Sequence, residues 1–336
     1  MHKFENCLVV GISSRALFDL EAENRIFDQE GVEAYTKYQI DHESDLLKPG
    51  TGFALIKALL ELNEIGSAER KTEIIVMSRN NADSSLRIFN SIKHYNLDIT
   101  RAALVSGAQL APYLAAFNTD LFLSANEEDV QEAINAGIAA GIIYTKHLAV
   151  KEIKAIEQIR IAFDGDAVLF SDESEQIYKS QGIEAFQANE IKNARNPLHE
   201  GPFAKFLKTI SKIQKEFDKS QAPIRTALVT ARNAPAHERV IRTLRAWDVR
   251  IDEAFFLGGM SKQEVLKAFG AHIYFDDQAI HTDATAEFVP SARVPYKNNE
   301  QLSNPEAERL CEPQKRIEQG TMTVKTMSAG EVLKPE

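Results

Sequence analysis

The chain has 336 residues, 44% hydrophobic and 26% charged, with a net charge of −10 and a pI near 5.4. That length suggests about two domains, and the apolar content is ordinary for a globular protein. The acid excess excludes a nucleic-acid surface, which needs a basic stripe, but leaves room for one mononucleotide in a local pocket.

The opening MHKFENCLVVGISS enters a patterned segment without a small-residue cleavage site, so it reads as a first strand and not a signal peptide. A polar, helix-rich insert follows. Then come a strand (EIIVMS), an amphipathic helix (SSLRIFNSIKHYN), a short strand (AALVS), a helix (LAPYLAAF) and a strand (TDLFLSA). After a join near His147–Glu157 the order recurs: RIAF, a second insert, TALVT, HERVIRTLRAWD, AFFLG, KQEVLKAF and AHIYFDD. Strands alternating with helices predict a parallel sheet with helices on both faces. Short apolar strands without alternation fit burial on both sides, and the crossovers should be right-handed. Beyond Pro295 the chain turns polar, and residues 297–336 read as a tail, partly disordered or wrapping a partner. No run of about 18 apolar residues occurs, so no membrane span is expected. Cys7 and Cys311 lie far apart in sequence, which argues against a disulfide framework and for a reducing cytoplasm.

The two passes are related. Displaced by 152 residues, Val76–Ala125 lies on Leu228–Asp277 without a gap, with roughly nine identities against about three expected by chance. Gly31 and Gly50 recur as Gly182 and Gly201, marking turns kept for backbone reasons. The expected architecture is therefore a duplicated α/β unit, copy one over 1–150 and copy two over 151–296.

The chemistry-bearing residues sit in copy two. IAFDGDAVLFSD ends a strand in Asp164 and Asp166 around Gly165, and AHIYFDD ends another in Asp276-Asp277. Buried strands seldom end in several acids for packing reasons. Clustered carboxylates raise one another's pKa unless a cation neutralises them, and Mg²⁺ prefers oxygen ligands and substrate phosphate. At the same displacement Asp164 faces Ile12, Asp166 faces Ser14, Thr230 faces Ser78, Lys262 faces Leu110, and Asp276 and Asp277 face Ser124 and Ala125. The apolar frame is kept while the polar set is missing from copy one.

Ligands of an open parallel sheet bind beyond the carboxyl ends of its strands, where Asp164, Thr230 and Asp276 fall. Asp164 is placed to attack phosphorus and form an aspartyl-phosphate. Asp166 can protonate the leaving oxygen and then activate water. Gly165 lets the backbone bend round phosphate, Thr230 offers it a hydroxyl, and Lys262 supplies positive charge. Asp276, with Asp277, would hold Mg²⁺ beside Asp164 and the Asp166 carbonyl. Blander readings stand beside these: an Asx turn at Asp164–Asp166, a helix cap at Thr230, and Lys267 in place of Lys262. Arg232 and Asn233 either touch substrate or hydrogen-bond within their loop. His237 and Glu238 read as a first helical turn, and His272 and His281 lack zinc spacing. The insert, roughly Ser171–Ser220, should form a small helical cap. Its aromatics Phe170, Tyr178, Phe186 and Phe203 are candidates to stack on a base.

DGDAV, a strand-ending Thr, Lys and FDD, in that order, resemble the four-motif signature of haloacid dehalogenase (HAD-like) phosphatases. SSRALFD, GVEAY, LKPGTGFALIKALL, AFDGDAVLFSDESE, GPFAKFL, TLRAW and FFLGG with FDDQ resemble the cytosolic 5′-nucleotidase I family over most of residues 5–296. The resemblance implies a three-layer α/β/α HAD-like Rossmannoid fold and Mg²⁺-dependent hydrolysis of AMP-like nucleoside 5′-monophosphates. It carries the superfamily roles onto Asp164, Asp166, Thr230, Lys262 and Asp276. The same machinery would serve another small phosphate ester. A nucleotide-sensing module is the non-enzymatic alternative, with a nucleotide effector near Ser13, Arg15, Ser78 and Arg79 of copy one. A homo-oligomer is compatible with the resemblance.

Overall fold

The computed structural model describes residues 7–66, 69–145 and 157–297. The join and the polar tail fall largely or wholly outside them. In the first half the elements are β1 (Leu8–Ile12), α1 (Ser14–Leu17), β2 (Phe18–Asp19), α2 (Glu21–Asp41), β3 (Lys48–Pro49), α3 (Phe53–Glu61), β4 (Thr72–Ser78), α4 (Leu86–His94), β5 (Arg101–Leu104), α5 (Ala111–Ala116), β6 (Leu121–Ser124), α6 (Glu127–Asn135) and β7 (Ala140–Ile143). The second half continues with β8 (Ile159–Phe163), α7 (Glu173–Lys192), α8 (Ala204–Lys215), β9 (Ile224–Thr230), α9 (His237–Ala246), β10 (Glu253–Phe256), α10 (Gln263–Phe269), β11 (Ile273–Asp276), α11 (Ala279–Thr285) and β12 (Ser291–Arg293). The fold is mixed α/β around a large, mostly parallel sheet.

Ten strands form that sheet in the order β10-β9-β8-β11-β12-β7-β6-β1-β4-β5. Every neighbouring pair is parallel except β12 and β7, which meet antiparallel at the centre. Each side of that seam has the same internal order: β5-β4-β1-β6-β7 in one and β10-β9-β8-β11-β12 in the other. The carboxyl ends of the two runs therefore face opposite edges of the sheet. Each pass holds a fifth strand, β7 or β12, which the sequence does not signal. Their residues AGII and SAR are too short to show a pattern, yet they make the seam.

Strand burial explains the missing alternation. Every residue of β1, β4 and β6 is buried. Helix α3 packs on β4 and also on β8, while α8 packs on β9 and also on β1. Each helix thus touches a strand of the other half, and one apolar cluster runs through both halves. This corrects the expected extent of the cap. Phe206, Leu207 and Ile210 of α8 are buried and α8 packs on β9 and β1, so this helix belongs to the layer on the sheet and not to a cap.

Sheet register also corrects the alignment at the acids. Leu8 of β1 lies opposite Thr72 of β4, and Ile159 of β8 lies opposite Ile224 of β9. Thr72 and Ile224 keep the displacement of the ungapped comparison, but Leu8 and Ile159 fall one short of it. Asp164 therefore corresponds to Ser13, not Ile12, and Gly165 to Ser14. The extra residue is absorbed just afterwards. Phe18 closes on the Ser14 carbonyl through a four-residue turn, whereas Phe170 closes on the Gly165 carbonyl through a five-residue, π-type turn. Ala167 there takes φ +61°. Such single-turn π-bulges often mark functional sites.

Two glycine positions recur for different reasons. Gly31 and Gly182 break α2 and α7 with φ of 87° and 83°, and ψ of −178° in both, a region open essentially to glycine alone. At Gly201 a Cβ would lie 2.3 Å from the Phe170 carbonyl oxygen and 2.6 Å from that of Val168. Gly50 is hemmed in the same way by the Phe18 carbonyl carbon at 2.8 Å.

These two constraints predict different costs. Gly182→Ala meets open space and should lose about 1 kcal/mol through backbone strain alone. Gly201→Ala forces backbone apart and should lose more, about 2–4 kcal/mol or no folded yield. Urea unfolding midpoints of the two variants check the ranking.

Candidate active site

Strands β8 and β11 are neighbours, with Phe163 opposite Phe275. The residue after each phenylalanine is an acid, so Asp164 and Asp276 emerge side by side. The Asp164 amide donates to the Phe275 carbonyl at 2.8 Å and fixes that placement. Below them Phe163 stacks on Phe275 with centroids 5.7 Å apart, and Phe203 packs on Phe275 at 4.6 Å. A rigid aromatic floor thus carries the acidic edge. Asp277 follows directly. One oxygen from each of Asp164, Asp276 and Asp277 falls within 4.8 Å of the others, and all three residues are buried.

Lys262 enters from the residue before α10. Its Nζ donates to Asp276 Oδ2 at 2.6 Å and lies 2.9 Å from Asp164 Oδ1. The rival Lys267 pairs with Glu264 at 2.8 Å on a solvated helix face, so Lys262 is the lysine that reaches the acids. Thr230 ends β9 and is buried; its Oγ1 accepts the Arg232 backbone N–H at 3.2 Å. A Cβ on Gly165 would sit 3.2 Å from that hydroxyl oxygen, so this turn packs directly against Thr230.

Asp166 stands apart from the trio. Arg232 grips it with Nε to Oδ2 at 2.8 Å and a terminal nitrogen to Oδ1 at 2.7 Å. The other terminal nitrogen of Arg232 reaches Glu190 of α7 at 2.6 Å. Glu190 is buried and also accepts from Arg239 at 3.0 Å and the Ser174 hydroxyl at 2.9 Å. Arg232 is thus committed to protein carboxylates, and its guanidinium lies 5.3 Å from the Phe186 ring. Asn233 is exposed on the adjoining loop, beside Gly258.

Phe170 is a correction. Its ring is fully buried, 5.5 Å from Trp247, and offers no face to a ligand. Phe203 is likewise core. Of the insert aromatics, Tyr178 and Phe186 lie on α7, edge-to-face at 6.3 Å, with Tyr178 51% exposed.

Sequence reasoning missed Glu190, Arg239, Tyr274, Glu175 and Tyr296. Tyr274 sits two residues before Asp276 on the same strand face, and its hydroxyl donates to Asp276 Oδ2. The Tyr296 hydroxyl bonds to Asp277 and, at 3.0 Å, to Glu175. The i, i+2 spacing could have flagged Tyr274; nothing local marks the others.

The electrostatics follow from burial. Desolvation raises the Asp164 carboxyl, with Lys262 opposing and Asp276 adding to the shift. Desolvation also raises Asp277, reinforced by Asp164 and Glu175. Burial works against the Lys262 ammonium, but the two carboxylates outweigh it and hold it charged. The same contest at Arg232 is won by Asp166 and Glu190. One lysine thus pairs with two of the three buried acids, and Asp277 Oδ1 is buried without a hydrogen-bond partner. An all-oxygen, carboxylate-rich set with an orphaned donor atom fits a hard divalent cation.

The comparisons with known proteins decide the family. The family model for 5′-nucleotidases matches residues 1–301. The chain belongs to the 5′-nucleotidase family. Human cytosolic 5′-nucleotidase 1B is 39% identical over 293 residues, which cover 84% of this chain and 47% of that protein. The chain thus spans about half the length of this relative. A chain of a solved Pnkp1/Rnl/Hen1 complex aligns over 89% of this chain and 100% of its own, at 12% identity and a TM-score of 0.31, too low to bear on the fold. Divalent-metal dependence accords with the family and with the acidic trio.

The Glu190 network gives a stability prediction. Glu190→Gln leaves two buried arginines short of a counter-charge, so about 3–5 kcal/mol should be lost. Denaturant unfolding measures it. A loss below about 1 kcal/mol would mean that water already screens the network.

Proposed function

We propose that this chain is a Mg²⁺-dependent 5′-nucleotidase with a HAD-like catalytic half. It hydrolyses AMP-like nucleoside 5′-monophosphates to nucleoside and phosphate through an aspartyl-phosphate. The carrying observation is the meeting of Asp164, Asp276 and Asp277, with Lys262 bridging the first two, although Asp164 lies far from the other three along the chain. The relative's name, with its cytosolic 5′-nucleotidase activity, supports the substrate class and a cytoplasmic location.

Asp164, Asp276 and Asp277 would hold Mg²⁺. When bound, the ion offsets carboxylate–phosphate repulsion and stabilises charge on the phosphoryl oxygens. The chain's own groups do the rest. An Asp164 oxygen attacks phosphorus, and the bond to the ester oxygen breaks. Asp166 delivers a proton to that leaving oxygen, then takes one from the water that attacks the acyl phosphate and frees the Asp164 carboxylate. Thr230 donates its hydroxyl to a phosphoryl oxygen, and Lys262 adds positive charge beside the nucleophile. Proton transfer requires Asp166 to release an oxygen from the Arg232 fork. Helix α7 carries Glu190, the arginine's other partner, so its displacement is the natural trigger. We assign α7 the role of cap, with Tyr178 and Phe186 as the base-facing aromatics. The matching strand orders and the shared Gly31/Gly182 and Gly50/Gly201 geometry support a duplicated origin, with copy one stripped of the acids.

Asp164→Asn should abolish phosphate release from AMP, by about 10⁴-fold or more given complete loss of nucleophilic catalysis, while the circular dichroism spectrum stays native. Unchanged turnover would refute the mechanism. A panel of phosphate esters separates nucleotide preference from general phosphatase activity. Mg²⁺ should also raise the melting temperature of the wild type, by about 2.7 kcal/mol of stability at one hundred times its Kd. In Asp277→Asn that gain should shrink, as thermal scans with and without the ion will report.

A further inference from the structure

The first half keeps a crevice where the second keeps its acids. It lies at the carboxyl ends of β1, β4 and β6 and encloses about 590 Å³. Its floor is Ser13, Ser14, Ser78 and Ser124, all buried, with the Ser14 and Ser78 hydroxyl oxygens 3.3 Å apart. By sheet register these serines replace Asp164, Gly165, Thr230 and Asp276. Among the described residues no acidic trio lies here to hold a cation. Both arginines of the lining are matched by carboxylates. Arg15 forks onto Glu21 at 2.7 and 3.0 Å, and Arg79 pairs with Asp129 at 2.6 Å and Glu128 at 3.2 Å. The crevice therefore has little net pull on a bare anion.

Its wall carries the opposite message. Phe27 and Tyr35 stand edge-to-face at 6.0 Å. Counted from the glycines that break the two helices, Gly31 and Gly182, they match Tyr178 and Phe186, which stand edge-to-face at 6.3 Å. Phe27 is 48% exposed and Tyr178 51%. Each exposed ring packs edge-on against a buried one, which leaves its own face open, and in the first half Phe27 presents that face to the crevice, where a flat ligand can cover it. The Tyr35 hydroxyl accepts from the Asn80 side-chain amide at 3.0 Å, which fixes the ring. Asn24 and Asn81 add further amides to the lining. Hydroxyls and amides below an aromatic face match a sugar joined to a base.

We infer that the first-half crevice binds a nucleoside, whether free or as its 5′-phosphate, without a divalent cation and without turnover. The base lies on Phe27 and the sugar on the serine floor. This site does not depend on the catalytic reading of the second half.

The test is equilibrium binding to the full chain in excess EDTA, with adenosine, AMP and orthophosphate as probes. Adenosine and AMP should both bind, and orthophosphate alone should not. Phe27→Ala, a surface change, should weaken that binding about tenfold or more, since stacking is worth about 1–3 kcal/mol per base. Tyr178→Ala should leave it within about twofold. Absence of EDTA-resistant binding, binding by orthophosphate alone, or loss in Tyr178→Ala instead of Phe27→Ala would each overturn the inference. Phosphate release from AMP in Mg²⁺, measured on the same samples, reports separately on the catalytic half.

Discussion

Three buried carboxylates, two of them paired with a single ammonium, set the terms for everything else in this molecule. Bringing such acids out of water is costly, and like charges at this spacing add to the cost. The fold tolerates the arrangement because rigid parts impose it. Adjacent parallel strands deliver Asp164 and Asp276 to the same edge, stacked phenylalanines hold those strands, and Lys262 sits between the acids. A divalent ion bound among the three acids would offset that cost, so the feature that is expensive to bury is also the one that fits an ion.

The two halves show how one frame serves different chemistry. Arg87 and Arg239 occupy corresponding positions on α4 and α9. Each donates Nε to a loop carbonyl, at 2.8 Å to Asp45 and 2.9 Å to Asn196. Arg87 then meets Gln39 at 3.4 Å where Arg239 meets Glu190 at 3.0 Å. Asn80 stands where Arg232 stands. The backbone scheme is common, but the arginine–glutamate–arginine chain of the second half is matched in the first by a buried Arg87–Glu23 pair at 2.7 Å with the amides of Gln39 and Asn80 beside it. The first crevice has serines where the second has Asp164, Thr230 and Asp276, and both have an edge-to-face aromatic pair beside them.

Much of the site was legible because its signals are local. An apolar strand ending in acids is unusual enough to read directly, and a lysine after a Gly-Gly-Met-Ser turn has few places to go. The rest was hidden for physical reasons. Glu190 and Arg232 meet only because a helix kinked at Gly182 folds over a strand end that comes well after it in the chain. Phe170 looks like a base platform in the sequence, yet a bridge to Glu200 and the Trp247 ring draw it into the core. The one-residue slip at Asp164 escaped an ungapped comparison because Leu17-Phe18 and Leu169-Phe170 still coincide at the common displacement. The π-type turn restores the common displacement only at Leu169-Phe170; the strand before it and the Gly182 and Gly201 positions after it again fall one short. The seam strands are too short to have a pattern of their own.

The central claim is a place as much as an activity, so the most direct measurement is positional. Crystals soaked in Mn²⁺, as an anomalous scatterer standing in for Mg²⁺, should show one strong anomalous peak within coordination distance of Asp164, Asp276 and Asp277. A peak among other residues, or none at saturating ion in a sample that still hydrolyses AMP, would contradict the account.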